Sequence, residues 1–312
     1  MRINKKSATL IAGSLAVALA ALLWSLDGVF IRPQFYRLPA VLVVFLEHGL
    51  GFFVLIPFLI KGFAEVKMMP LKSWGALIWV CFWGGLLGTL FITKAFFAAF
   101  EGETTLASIV ILQKLQPVFA LIMARLLLKE KLKKEFYVWA VIAVAAAYIL
   151  AFGDKGLKLA DVELSHNASL FALIAAFAFG SSTVFGKYLT GSVPFGTAAS
   201  LRFGGTSIIS IIFILVAGLF PAFSSVETIH WKLLILIVFS SGALSMFIYY
   251  FGLKRIPASV ASIFELFWPL SSVILDYIIN RNILSVSQAI ASAVLLLCFY
   301  RIIRPDRNKK PS

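Results

Sequence analysis

The chain has 312 residues, 61% of them hydrophobic and 13% charged, with a mean hydropathy of +0.97 and a formal net charge of +14. A soluble domain is about 45–50% apolar and about 25% charged, so this composition excludes an ordinary soluble domain and points to an integral membrane protein. The basic excess lies in short gaps between apolar runs, as in cytoplasmic loops, and argues against nucleic acid as a partner.

A helix needs about 20 apolar residues to cross a bilayer. Ten stretches qualify: 8–31, 38–60, 74–99, 104–128, 135–153, 168–189, 195–220, 231–253, 256–279 and 284–303. The first is too long for a cleavable signal core and lacks a small-residue cleavage site, so it is expected to remain as the first span. The connections are short except 154–167 (DKGLKLADVELSHN), which divides the chain into halves, 8–153 and 168–303, of five spans each. The expected fold is an all-α integral membrane protein of ten transmembrane helices. Cys81 and Cys298 each lie inside an apolar run, where they form no disulfide framework, and the histidines show no metal-ligand spacing.

Eighteen Lys and Arg fall in the N-terminal tail, the C-terminal tail and the gaps on their side, against six on the other side. The positive-inside rule then places both termini in the cytoplasm, of an inner membrane. An odd number of spans per half forces the second half to enter the membrane upside down relative to the first. The halves also match weakly in sequence. A shift of 155 brings Trp24 onto Phe179, Pro39 onto Pro194 and Gly49 onto Gly204, and the shift becomes 152 by the fourth and ninth spans. Two inverted five-helix repeats place a substrate site near the midplane between halves, exposed alternately to the two sides.

One proline-centred helix is written twice. Residues 108–132 read SIVILQKLQPVFALIMARLLLKEKL and residues 260–284 read VASIFELFWPLSSVILDYIINRNIL. Superimposing Pro117 on Pro269 brings Gln113 onto Glu265 and Glu130 onto Asn282. Ten spans, a five-plus-five inverted repeat and a fourth span ending in QPVFALIMARLLLKEKL resemble the EamA branch of the drug/metabolite transporter superfamily. Proline followed 13 residues later by glutamate (Pro117, Glu130) is the most specific part of the likeness. The second copy departs from it, with Asn282 where the family usually shows a second glutamate. The resemblance implies a bacterial inner-membrane carrier of a small polar or amphipathic metabolite, often an exporter.

Charged side chains at the bilayer centre cost about 2.5–3.5 kcal/mol each on insertion scales, so those within spans should face the bundle interior. Glu265 is near the middle of the ninth span, on a stripe with Ser262, Pro269, Ser272 and Asp276. Pro269 lacks a backbone donor and frees the carbonyl of the same Glu265. Glu265 is therefore a candidate proton carrier or cation ligand, the alternative being a buried glutamate paired to a lysine. Lys114, beside Gln113, Gln116 and Pro117, either binds an anionic substrate group or pairs with Glu265. Lys94 and Asp27 lie at similar depth in the third and first spans and are expected to pair. The alternative for Lys94 is to reach the outer headgroups.

Glu47 adjoins His48, and the two point about 100° apart on a helix; His48 is expected to be a hydrogen-bonded structural group. Arg202, aligned with Glu47 in the second half, either anchors a carboxylate or is structural. Among the aromatics, Trp24, Tyr249 and Trp268 are expected in the cavity wall, each beside a polar or repeat-related position.

The reading is a secondary transporter working by alternating access, coupled to protons or driven by the substrate gradient, with no cofactor. Its expected partners are a small-molecule substrate and the lipid bilayer, with the fifth and tenth spans at the periphery or in a homodimer contact. The alternatives are an intramembrane enzyme and a channel. The sequence shows no nucleophile–base pair, no zinc-type histidine motif, no phosphate-binding glycine loop and no selectivity-filter sequence.

Overall fold

The computed structural model describes residues 5–101, 109, 112–152, 167–281 and 283–304. Nearly all of these residues are helical. Nine helices among them are long and apolar enough to cross a membrane: Lys5–Leu26, Ala40–Lys61, Leu71–Phe100, Lys134–Ala151, Asn167–Ser192, Phe195–Val216, Thr228–Arg255, Ala258–Leu275 and Val286–Ile303. The protein is a multi-pass membrane protein. The expected fourth span is represented by the shorter apolar helix Gln116–Leu127. Most of its upstream half, most of the connection 154–167, Asn282 and the side chain of Asp276 lie outside the described residues. Helices are numbered below by their place among the ten stretches read in the sequence.

Prolines start four of the helices. Pro39, Pro70, Pro194 and Pro257 stand at the N-caps of the second, third, seventh and ninth. The first helical positions need no backbone partner for their N–H groups, so the ring closes off the preceding loop at no cost in hydrogen bonds. The outward faces are apolar, with Phe53 and Val141 each 70% exposed, as a lipid-facing surface requires. The inward faces are small. Gly51 lies against the Phe203 ring and Gly204 against the Phe52 ring, which lets the second and seventh helices approach closely.

The helices pair in a fixed pattern. The second packs on the seventh, the first on the eighth, the third on the sixth, the fourth on the ninth and on the sixth, and the fifth on the tenth. The fifth and tenth, poor in polar residues, sit together at the edge.

Five departures from straight α-helix shape the interior. The first helix ends in a wide π turn, Asp27–Ile31, followed by the 3-10 turn Arg32–Phe35. The third is π-helical over Val80–Leu87. The eighth is interrupted between Val238 and Ala243. The fourth is broken at Lys114 and Leu115, and the ninth at Glu265 and Leu266. Each of the last two breaks falls just ahead of the repeat's proline, as its missing N–H demands. The carbonyl of Glu265 does lack its α-helical donor, but the N–H of Trp268 takes it up at 3.1 Å. Of the expected stripe, Ser262 bonds back to the Ser259 carbonyl and Ser272 to that of Trp268, while Glu265 lines the cavity described below.

Candidate functional site

Four of these departures, all but the π-helical stretch of the third helix, meet at one cavity lined from both halves of the chain. Glu265, at the ninth helix's break, is 8% exposed. Its Oε1 accepts from the Tyr249 hydroxyl at 2.7 Å and the Thr183 hydroxyl at 3.2 Å, and the Gln116 amide donates to its Oε2. The Tyr249 and Thr183 hydroxyls lie 2.8 Å apart, and since each has one proton, a bond between them is made in place of one of the two to Glu265. Four helices thus converge on one carboxylate, and this satisfies a group that would otherwise be costly to bury.

Lys114 is 5% exposed and does not form the expected ion pair with Glu265. Its ammonium instead sits 4.2 Å from the centre of the Trp268 ring. The physical reason is that Gln116, Thr183 and Tyr249 already occupy both oxygens of Glu265. A cation over a desolvated indole face gains about 2 kcal/mol or more, which offsets part of its burial cost. Gln113 lines the same region, with its Oε1 unpartnered.

The second charged group lies where the first helix ends. Arg32 bonds the Asp27 carboxylate through Nε at 3.0 Å and through Nη2, and reaches Glu47 Oε2 through Nη1 at 2.8 Å. All three are buried, at 6–8% exposure. Two acids share one base, so the group carries a net charge of about −1 with its members ionised. The expected Asp27–Lys94 pair does not form: Lys94 is exposed, its ammonium 5.6 Å from the Phe171 ring centre. Depth had placed Lys94 level with Asp27, but its direction around the third helix carries it outward. Arg32 directly follows the first apolar run, 8–31, where a loop charge would stand. The π turn brings residues five apart into register, with the Arg32 N–H bonding the Asp27 carbonyl, and so returns its side chain to the interior.

His48 is hydrogen-bonded, with Nδ1 to the Val44 carbonyl at 2.9 Å and its ring 4.8 Å from that of Phe203, and it lines the cavity. Arg202 is 5% exposed and reaches Ser182 Oγ at 3.4 Å, leaving its Nε without a partner. Four cavity-lining residues carry a buried polar atom with no protein partner: Asp27 Oδ1, Gln113 Oε1, Arg202 Nε and Ser241 Oγ. Aromatic rings complete the wall. Trp24 lies 5.2 Å from Tyr249, Trp268 approaches the backbone at Gly28, and Phe96 and Phe179 face the same space. Of the aromatics, the sequence favours Trp24, Tyr249 and Trp268 over Phe96 and Phe179, which it also offers as candidates, and it gives no signal for Phe203, which lines the cavity with them.

The basic end of the bundle is closed below the cavity. The Glu130 carboxylate accepts from the N–H groups of Ala258 at 2.8 Å and Ser259 at 3.1 Å, and from the Ser259 hydroxyl at 2.5 Å. It thereby caps the start of the ninth helix from the end of the fourth. Ser73 bonds Ser192 at 2.6 Å, and Thr197 bonds the Phe58 carbonyl at 3.0 Å, at the same end.

The EamA-like transporter family matches the chain twice, over residues 11–152 and 166–304. The chain belongs to the EamA-like transporter family. The match makes it a membrane transporter. A riboflavin transporter, ImpX, of Fusobacterium nucleatum is 40% identical over 290 residues, covering 92% of this chain and 95% of that protein. An uncharacterized transporter of Methanothermobacter thermautotrophicus is 27% identical over 68% of this chain and 60% of that one. A solved crystal structure at 18% identity has the same fold, with a TM-score of 0.67 over 93% of this chain and 96% of the other.

In this EamA-like transporter the cavity brings together Glu265, Lys114, Gln113, Asp27, Glu47, Trp24, Tyr249 and Trp268, and leaves out Lys94. It adds Arg32, Thr183 and Arg202, each from a different helix or turn. Thr183 carried no signal in the sequence, since a threonine in an apolar helix is ordinarily a packing residue.

Proposed function

We propose that the chain is a secondary carrier for a planar aromatic metabolite with a polar edge and a hydroxylated tail, of the flavin class. The observation that carries this is the cavity itself. Four residues that line it each hold a buried polar atom without a protein partner, and six aromatic rings wall the same space. Buried polar atoms are nearly always bonded, so these atoms ask for a polar ligand, and the rings for a flat one. The relative named a riboflavin transporter supports this substrate class.

The working mechanism is alternating access between two inverted five-helix repeats, 8–153 and 168–303. The helix pairing supports this reading. Exchanging each helix for the one five places on turns the first–eighth contact into the sixth–third, and the second–seventh, fourth–ninth and fifth–tenth pairs into themselves. The two broken helices are the repeat-related fourth and ninth, as in carriers whose site lies at helix discontinuities. Glu265 is the coupling carboxylate, bound by groups from three other helices that a rocking motion would separate. Both termini lie in the cytoplasm and the membrane is the cell's inner one, on the charge distribution. Export, the direction implied by the family resemblance, and uptake pass through the same two states, and the gradient selects between them. The exposed apolar faces of the fifth and tenth helices contact lipid or a second copy of the chain.

The test is purified protein in liposomes, with uptake of riboflavin followed by its own fluorescence. Saturable uptake that is lost in Trp268→Ala and Glu265→Ala is expected. Protein-dependent flux that ignores both substitutions would refute the site, and no riboflavin flux at all would refute the substrate class.

A further inference from the structure

We propose that Asp27 reads the hydroxylated tail of the ligand, and that the Asp27–Arg32–Glu47 group rejects ligands carrying a phosphate there. This rests on the flavin-class reading and goes beyond it by separating the free metabolite from its phosphorylated form. Arg32 spends its Nε and Nη2 on one oxygen of Asp27 and its Nη1 on Glu47. The other oxygen, Oδ1, is buried, has no protein partner and belongs to a residue that lines the cavity. A carboxylate oxygen only accepts hydrogen bonds, so its ligand must donate. The unpartnered Oε1 of Gln113 is a second acceptor in the same cavity. Sugar-like hydroxyls meet that demand several times over, whereas the ring edge of a flavin offers a single N–H between two carbonyl acceptors.

Arg202 presents the opposite chemistry. Its unpartnered Nε donates and so suits the carbonyl and nitrogen acceptors of a flavin ring edge. The cavity thus has an acceptor pole at the end of the first helix and a donor pole on the seventh. Tail toward Asp27 and ring edge toward Arg202 is the orientation that sets most of the ligand's donors at the acceptor pole and most of its acceptors at the donor pole.

Phosphate at the tail meets a different balance. Arg32 would ordinarily attract it, but its guanidinium is already shared by two carboxylates. With both acids ionised the group presents net negative charge, and a dianion brought to it is repelled. Each charge on the phosphate, about 6 Å from a like charge at an effective dielectric constant of about 20, weakens binding on the order of a hundredfold.

The test is binding to the full chain in detergent or nanodiscs, with three probes read by their own fluorescence. These are riboflavin, lumichrome (its tail-less alloxazine counterpart) and riboflavin 5′-phosphate. In the wild type, riboflavin should bind roughly tenfold more tightly than lumichrome, the worth of one charge-assisted bond. The phosphate should bind far more weakly than riboflavin. Asp27→Asn should abolish the preference for riboflavin over lumichrome and narrow the phosphate gap. Glu47→Gln removes the same unit of charge but leaves Oδ1 of Asp27 in place. It should narrow the phosphate gap while keeping the preference for the tail, which gives a second route should Asp27→Asn fold poorly. Equal binding of riboflavin and lumichrome, or of riboflavin and its phosphate, by the wild type would overturn the proposal and leave the flavin reading standing. Failure of all three probes to bind would overturn both.

Discussion

Removing the carboxylate of Glu130 should loosen the basic end of the bundle. The carboxylate accepts three hydrogen bonds at the start of the ninth helix, two from the backbone and one from Ser259. Bonds to a charged acceptor contribute about 1.5–3 kcal/mol each, and a negative charge at a helix start adds about 0.3–1 kcal/mol. Glu130 is itself only half-buried, and water can replace part of what is lost. About 3 kcal/mol is then a reasonable figure for Glu130→Ala, roughly a hundredfold in the ratio of closed to open states. Glu130→Gln keeps an acceptor oxygen and should fall between the alanine variant and the wild type.

The neighbouring Ser73–Ser192 and Thr197–Phe58 bonds are neutral and contribute less. The assay introduces Met246→Cys, a cavity-lining position, and measures its rate of reaction with a membrane-impermeant maleimide in sealed vesicles of each orientation. The native Cys81 and Cys298 are buried and supply the background. Labelling from the basic side should rise in the order wild type, Glu130→Gln, Glu130→Ala, and labelling from the other side should fall. Equal rates from the basic side in all three would refute the view that this contact holds the end closed.

Gly180→Ala should cost about 1–3 kcal/mol, because a Cβ there would stand 2.6 Å from the Gln116 carbonyl oxygen and 3.1 Å from the Ala120 nitrogen, backbone atoms that cannot swing aside. A lowered melting temperature in detergent checks this; an unchanged one would show that the fourth and sixth helices separate more easily than their packing implies. Glu265→Gln should keep its bonds to Tyr249 and Thr183 in altered form yet lose the response of transport to an imposed pH gradient. Full retention of that response would remove Glu265 as the coupling group.

Position along a helix was legible in the sequence, and direction around it was not. The apolar runs gave the nine long helices among the described residues to within a few residues, and the matched prolines at 117 and 269 lie just after the breaks in the fourth and ninth. Glu265 and Lys114 were found because a charge in the middle of an apolar run is costly wherever it points. Their partners were hidden, since Tyr249, Thr183 and Gln116 come from three other helices whose rotation no local pattern records. Lys94 failed for the same reason: its level was right and its face was wrong. Arg32 was lost to a different cause. It follows the last apolar residues of the first run and precedes Pro33, which is how a loop reads, and only a turn wider than α-helical brings it back to Asp27.

The π-helical stretch Val80–Leu87 bears on any comparison with relatives. Its hydrogen bonds span five residues, with the Gly88 N–H reaching the Trp83 carbonyl, so it carries more chain per turn than the helix on either side. It also presses Gly84 and Gly85 against Ser182 and Thr206. Beyond it, Thr89, Ile92 and Phe96 face the cavity at a rotation that a plain α-helical projection from Leu71 would misplace. A relative whose third helix lacks this surplus would align here without a gap and yet set different side chains toward its substrate. Substitutions at these positions become comparable across the family only after that one-residue phase difference is restored.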